Sequence, residues 1–229
     1  MSIVAVLAAS VGFVAVFRKP LQRCPGVFYA VAVGLDLLLA QGHQAGAPVL
    51  LWRAGLTFHT RCLFAFSLFA IVMFAGVLKD GTRVKGVLLP IRAELSLVAA
   101  LLAFGHIATF AAPYVGRLLA GTSINVALAS TSAVLLVLLL VPLSITSVKA
   151  VKRRMPAKIW KSLQRYAYLF WGLVFAHVLL ILGPSALAGA DSARASLVVY
   201  TAVFAAYAVL RTRRFALDRR ERVTPLPAP

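Results

Sequence analysis

Two of the four histidines, His106 and His177, lie well inside long runs of apolar residues. An imidazole is costly among lipid tails, so ionisable side chains in such runs often mark a functional site. A neutral imidazole can bind a transition metal through one ring nitrogen while the other nitrogen donates a hydrogen bond. It can also hold two helices together by hydrogen bonding alone. The pair therefore indicates either metal ligation or helix packing, depending on how the surrounding segments place it.

The composition is that of an integral membrane protein. The chain has 229 residues, of which 62% are hydrophobic, whereas soluble domains are about 45–50% apolar. Its formal net charge of +18 comes from 24 Lys and Arg set against 6 Asp and Glu. These cations cluster between the apolar runs, which is the pattern that orients a membrane protein. We therefore expect a lipid bilayer as the surroundings, and no nucleic-acid partner.

The apolar runs predict an all-α, polytopic transmembrane bundle of about seven spans, since a crossing helix needs about 17–25 residues. The spans are 2–17, 26–41, 58–78, 93–112, 123–146, 165–183 and 195–211. Alternating passage puts 20 of the 24 cations on one side, and the positive-inside rule makes that side cytoplasmic. The N-terminus is then outside and the C-terminus inside. We expect one membrane domain over 1–214 and a disordered cytoplasmic tail over 215–229.

The two histidines are predicted to lie at the same depth. Spans four and six both run outwards, and His106 and His177 each lie six residues before the outer end of the span. At 1.5 Å per residue both imidazoles fall in the outer half of the bilayer. Two imidazoles at matched depth on non-adjacent helices have the geometry of the two axial ligands of one haem. Helix packing remains the alternative at this point.

Two other ionisable groups lie near span ends. Glu94 is at the cytoplasmic start of span four, and we expect it to reach the interface. Asp36 lies near the outer end of span two, where it could carry a proton or only pack between helices.

Two stretches resemble the ferric-reductase-like transmembrane family, and within it the haem b membrane subunit of the bacterial periplasmic methionine sulfoxide reductase system. In that family a Thr-Ser pair ends one span and a basic loop follows. Next come Trp-x-x-Leu-His, a Tyr four residues on, and a second His thirteen after the first. The stretch TSVKAVKRRMPAKIWKSLQRYAYLFWGLVFAH is similar, with Thr146, Ser147, Trp160, Leu163, Gln164, Tyr168 and His177 at those positions. In RAELSLVAALLAFGHI, Arg92 precedes His106 as an Arg precedes the other ligand in the family. The resemblance covers about residues 50–185.

The resemblance implies a single haem b with His106 and His177 as axial ligands. Gln164 stands where the family has its inner histidine, and an amide cannot replace imidazole as a strong iron ligand. The inner half could instead hold FMN or a quinone, with Arg92 and Gln164 as hydrogen-bond donors, or it could hold only side chains. Arg61 is the first candidate for a haem propionate, with Arg53 and Arg117 as alternatives.

The functional expectation is a membrane b-type cytochrome, the electron-transfer subunit of an oxidoreductase in the bacterial cytoplasmic membrane. The sequence contains no βαβ nucleotide-binding pattern. Electrons would therefore come from a cytoplasmic flavin reductase or from quinol. They would leave to an extracytoplasmic reductase, for which the resemblance suggests methionine sulfoxide reductase. One alternative is a transmembrane ferric reductase acting directly on metal outside. Another is a haem-free transporter or assembly factor whose histidines pack or relay protons.

Overall fold

The computed structural model describes residues 3–45, 61–121 and 123–223, and these form helices and short turns without a strand. Ten α-helices occur in that part of the chain. They are α1 (Ile3–Arg23), α2 (Pro25–Ala45), α3 (Leu63–Ala75), α4 (Arg83–Leu88), α5 (Arg92–Leu119), α6 (Ile124–Ser147), α7 (Lys149–Arg154), α8 (Ala157–Gln164), α9 (Tyr166–Leu187) and α10 (Asp191–Val223). A short 3-10 turn, Leu89–Ile91, joins α4 to α5.

Five helical stretches of the described chain are long and apolar enough to cross a membrane. They are Ile3–Arg23, Arg83–Leu119, Ile124–Ser147, Ala157–Leu187 and Asp191–Arg219. Two shorter apolar stretches, Pro25–Leu39 and Leu63–Ala75, belong to α2 and α3. The predicted helical membrane bundle is confirmed at this level.

Several helices extend beyond their predicted ends, and α5 and α10 extend furthest. Helix α5 continues to Leu119 rather than ending at 112, and α10 continues to Val223 rather than 211. Residues 215–223 are therefore helical, where a disordered tail was predicted. Arg214 and Asp218, one turn apart, form an ion pair with an N···O distance of 2.9 Å. Such i,i+4 pairs stabilise a polar helix that hydropathy alone would not detect.

Helix α3 lies inside a ring formed by α1, α2, α5, α6, α9 and α10, in which each helix packs against the next. Its sequence, LFAFSLFAIVMFA, has no polar face, as expected of a helix enclosed on all sides. Aromatic side chains fasten it to α9: Phe66 stacks on Trp171 with ring centroids 5.4 Å apart. The one hydroxyl of α3, that of Ser67, donates to the Leu63 carbonyl at 2.8 Å. The ring thus closes around an apolar core helix whose one hydroxyl is hydrogen-bonded within that helix.

Ion pairs fasten the turn after α3 to the end of α10. Lys85 Nζ lies 2.6 Å from one carboxylate oxygen of Asp80, and Arg214 bonds the other. The hydrogen bond and charge of Lys85, aided by Arg214, lower the pKa of Asp80. The α3–α4 turn and the polar end of α10 therefore lie at the same end of the bundle.

Glu94 is buried, which corrects the expectation that it reaches the interface. Its side chain is 2% exposed, and Oε1 lies 2.6 Å from Lys149 Nζ at the start of α7. The turn between α6 and α7 places this lysine against the first turn of α5. The carboxylate is thereby neutralised at the end of the bundle rather than in water.

We predict that Lys149→Met lowers the free energy of unfolding in detergent by about 1–3 kcal/mol, because it leaves the buried Glu94 carboxylate unpaired. The expected loss is smaller than that for breaking a fully buried ion pair, because the Lys149 side chain is 59% exposed. Adding Glu94→Gln should restore most of the loss. Lys158→Met, at an exposed position of α8, is the control. Equal stability of Lys149→Met and wild type would contradict the structural role of the pair.

Candidate functional site

The hydrogen bonds around His177 assign its tautomer. The ring of His177 is half-buried on α9, and its Nδ1 lies 2.9 Å from Ser132 Oγ on α6. Ser132 Oγ donates its own proton to the Ala129 carbonyl at 2.7 Å. Because that proton is used, the Ser132 oxygen can only accept from the imidazole. Neutral His177 therefore carries its proton on Nδ1 and leaves the lone pair of Nε2 for a ligand.

A second hydrogen bond joins α6 to α9, one turn beyond His177 on α9. Asn125 Nδ2, in the first turn of α6, donates to the Leu180 carbonyl at 2.9 Å. Leu180 follows His177 by three residues, so the two hydrogen bonds lie along one edge of α9. Together they fix the rotation of α9 about its axis and hence the direction of the His177 ring.

His106 lies on α5 next to a buried apolar cluster. Ala103, one turn before His106, belongs to this cluster, which α3, α5, α6 and α9 share. Val174, one turn before His177, packs against the same cluster. Ile107, which directly follows His106, also packs against this cluster, so the cluster reaches the level of His106 on α5. The matched depth of the two imidazoles stays a prediction, and the span ends used to make it differ from the observed ends of α5 and α9.

The surroundings of the pair are apolar and aromatic. The ring of His106 lies 4.9 Å from that of Phe110, centroid to centroid. The shared cluster contains Phe170 and is flanked by Ile107 and Leu136. Among the described residues, no group of three or more His, Cys, Asp and Glu gathers as a metal site of several side chains would require. Each of the two histidines thus has apolar neighbours, and imidazole is a donor that fits an axial position of a haem.

Asp36 packs against Gly105, the residue before His106. A Cβ atom at Gly105 would lie 2.1 Å from Asp36 Cγ and 2.3 Å from its Oδ1, so the half-buried carboxylate occupies the notch that this glycine leaves. Gly105 immediately precedes His106 on α5. The sequence analysis left Asp36 with either a packing or a proton-carrying role. Gly105 was the sequence signal that could have indicated the packing contact.

Gln164 has a structural partner in the bundle. Its Nε2 donates to Thr146 Oγ1 at 3.0 Å, and Trp160 Nε1 donates to the Thr146 carbonyl at 2.9 Å. These bonds close α8 onto the end of α6. No hydrogen bond joins Gln164 to Arg92 within the described parts of the chain.

The predicted arginines lie apart from one another. Arg92 is half-buried in the first turn of α5, and its charge acts on Tyr207 of α10. Arg61 is exposed just before α3, at the opposite end of the bundle. Arg117 is exposed near the end of α5, with its guanidinium 5.4 Å from the Tyr114 ring centre. Arg53 lies outside the described residues, as do the side chains of the remaining two histidines.

A curated protein of Treponema pallidum (strain Nichols), named only as an uncharacterized protein, is similar to this chain. The two are 43% identical over 165 residues, which are 71% of this chain and 45% of the relative. The chain thus spans less than half the length of that protein. No family model matches the sequence. No solved structure matches it either.

We predict that Gly105→Ala destabilises the protein by about 1–2 kcal/mol, because overpacking against Asp36 outweighs the better helix propensity of alanine. Gly116→Ala, on the same helix with nothing within 4 Å of its Cβ, is the matched control and should be neutral or stabilising. Unfolding in detergent compares the two. Adding Asp36→Ala should rescue Gly105→Ala; failure of that rescue would show that Asp36 is not what fills the notch.

Proposed function

We propose that the chain is a transmembrane b-type cytochrome in which His106 and His177 are the axial ligands of one haem. The observation that carries the proposal is the hydrogen bond from His177 Nδ1 to Ser132 Oγ. Histidines that bind a metal usually donate their other ring N–H in this way, which fixes the ring and makes the ligating nitrogen more basic. Ala103 and Ile107, on either side of His106, and Val174, one turn before His177, all belong to or pack against one apolar cluster, which supports a shared ligand.

We further propose seven membrane passes, with the N-terminus outside and the C-terminus in the cytoplasm of a bacterium. The shorter α2 and α3 complete the helical ring and its core, so a bundle of five passes would leave both unaccounted for. The ion pairs of Asp80 and of Glu94 draw their cations from the basic segments between helices. Those segments carry most of the charge, and the positive-inside rule places them in the cytoplasm.

The proposed role is electron transfer through the membrane to an extracytoplasmic reductase. A bound haem would supply one-electron chemistry in the outer half. The chain's own residues set the imidazole tautomer, exclude water with the apolar cluster, and present basic helices α7 and α8 at the cytoplasmic end. A basic face suits an acidic donor such as a flavin reductase. By resemblance, a methionine sulfoxide reductase is one acceptor that would fit.

The residues proposed to bind a flavin, a quinone or a haem propionate differ in whether they already have a hydrogen-bond partner in the protein. Gln164 already donates to Thr146, so Arg92 is the better donor for an FMN or quinone at the cytoplasmic end. Arg61 lies exposed at the outer end, where a haem propionate would emerge.

A haem-free packing role is the rival supported by a specific observation. The Ser132–His177 bond joins α6 to α9 and would do so without any metal. A haem-free transporter or assembly factor would use the histidines in this way. A direct ferric reductase would need the same haem but no outer protein partner.

The absorption spectra of the purified protein, oxidised and dithionite-reduced, test the proposal beside His106→Ala and His177→Ala. We expect the α and Soret bands of a low-spin b-type haem at one haem per chain, absent from both variants. Size-exclusion profiles equal to wild type must show that the variants remain folded. A colourless wild-type protein from haem-supplied cells would overturn the cytochrome and favour the packing role. A haem that is retained in both variants would overturn the ligand assignment.

Ser132→Ala tests the hydrogen bond that carries the proposal. We predict haem retention about 10–100-fold weaker than in wild type, the usual cost of losing the partner of a ligating histidine. Transfer of haem to excess apomyoglobin measures this loss. Thr131→Ala, an exposed neighbour on the same helix, should release haem at the wild-type rate. Equal release by both variants would mean that Ser132 only packs α6 against α9.

A further inference from the structure

A groove with a volume of about 680 Å³ runs between α9 and α10 on the outside of the helical ring. Its floor is formed by Trp171, Phe204 and Tyr207, all buried, and its rims include Gly172 and Phe175. The lining is almost entirely apolar and aromatic. Its volume is in the range of about 300–1,000 Å³ that is typical of ligand clefts.

One cation lies near one end of the groove. Arg211 is half-buried, and its guanidinium lies 4.7 Å from the ring centre of Tyr168. No carboxylate forms a salt bridge with Arg211 in the described part of the chain. Arg214, one turn further along the same helix, is by contrast held by Asp80 and Asp218. Near its end the groove therefore holds a positive charge that is oriented by an aromatic ring and has no salt-bridge partner among the described residues.

The groove has the length and openness for an acyl chain. On α10 the lining from Thr201 to Arg211 rises about 15 Å along the helix. One leaflet contributes about half of the ~30 Å hydrocarbon thickness, so this length reaches from the bilayer interior to the headgroups. At Gly172 a Cβ would meet nothing within 4 Å, and that side of the groove is open to the bilayer.

We infer that this groove binds an anionic phospholipid of the cytoplasmic leaflet, with its phosphate at Arg211 and one acyl chain along Gly172 and Phe204. Charge complementarity selects the headgroup, since basic residues near the surface attract anionic lipid and arginine matches phosphate geometry. A quinone head is neutral and gains less from an unneutralised guanidinium. The inference uses the orientation proposed above but is independent of haem.

Native mass spectrometry of the full chain in detergent tests this inference. Equimolar phosphatidylglycerol and phosphatidylcholine compete for the first bound lipid, and both are counted. We expect wild type to prefer phosphatidylglycerol, and Arg211→Gln to reduce that preference about fivefold, corresponding to about 1 kcal/mol for one basic residue. Arg213→Gln, an exposed arginine of α10 outside the groove, should keep the wild-type preference.

A second pair of variants locates the lipid. Gly172→Leu should fill the groove and remove most of the first bound phosphatidylglycerol. Gly183→Leu, also on α9 with open space at its Cβ, should retain it.

Equal losses in Arg211→Gln and Arg213→Gln would mean a general charge effect and would overturn the inference. Displacement of the lipid by decylubiquinone would also overturn it, by making the groove a quinone site. The absorbance of the same samples reports separately on the haem proposal.

Discussion

Lipid tails offer no hydrogen bonds, so a polar group that enters this bundle is costly unless it finds a partner within the protein. The chain meets this constraint at Ser132, whose hydroxyl donates to a carbonyl of its own helix and accepts from His177. Asn125 meets it by bonding the Leu180 carbonyl. Both bonds join α6 to α9, so satisfying the polar groups also fixes how these helices face each other. The tautomer of His177 is a consequence of the same constraint.

The enclosed helix α3 gives the ring its form. Because it is apolar on every side, six helices can pack around it without any of them supplying a polar partner. Helix α3 also contributes Ala65 to the shared cluster. A small side chain there lets α5, α6 and α9 approach one another. Helices α5 and α9, which carry the two histidines, thus depend on α3 for their packing.

The helical membrane bundle could be predicted from the sequence because long apolar runs have few alternatives in lipid. Helix ends were less predictable: α10 continues past its apolar part because Arg214 and Asp218 pair along a polar turn. Burial of Glu94 depends on Lys149, which is distant in the chain and becomes a neighbour only through packing. Ser132 carried no sequence signal, since a serine in a span usually bonds its own helix. The haem, its ligands and the redox partners stay predictions.

Electron paramagnetic resonance of the oxidised wild-type protein at low temperature tests the central claim most directly, because it reads the axial ligands of a ferric haem. The account predicts a low-spin signal of the two-imidazole type at one spin per chain. It also predicts that His106→Ala and His177→Ala each abolish this signal. A high-spin signal, a low-spin signal with a different ligand pair, or no ferric haem in protein from haem-supplied cells would contradict ligation by His106 and His177.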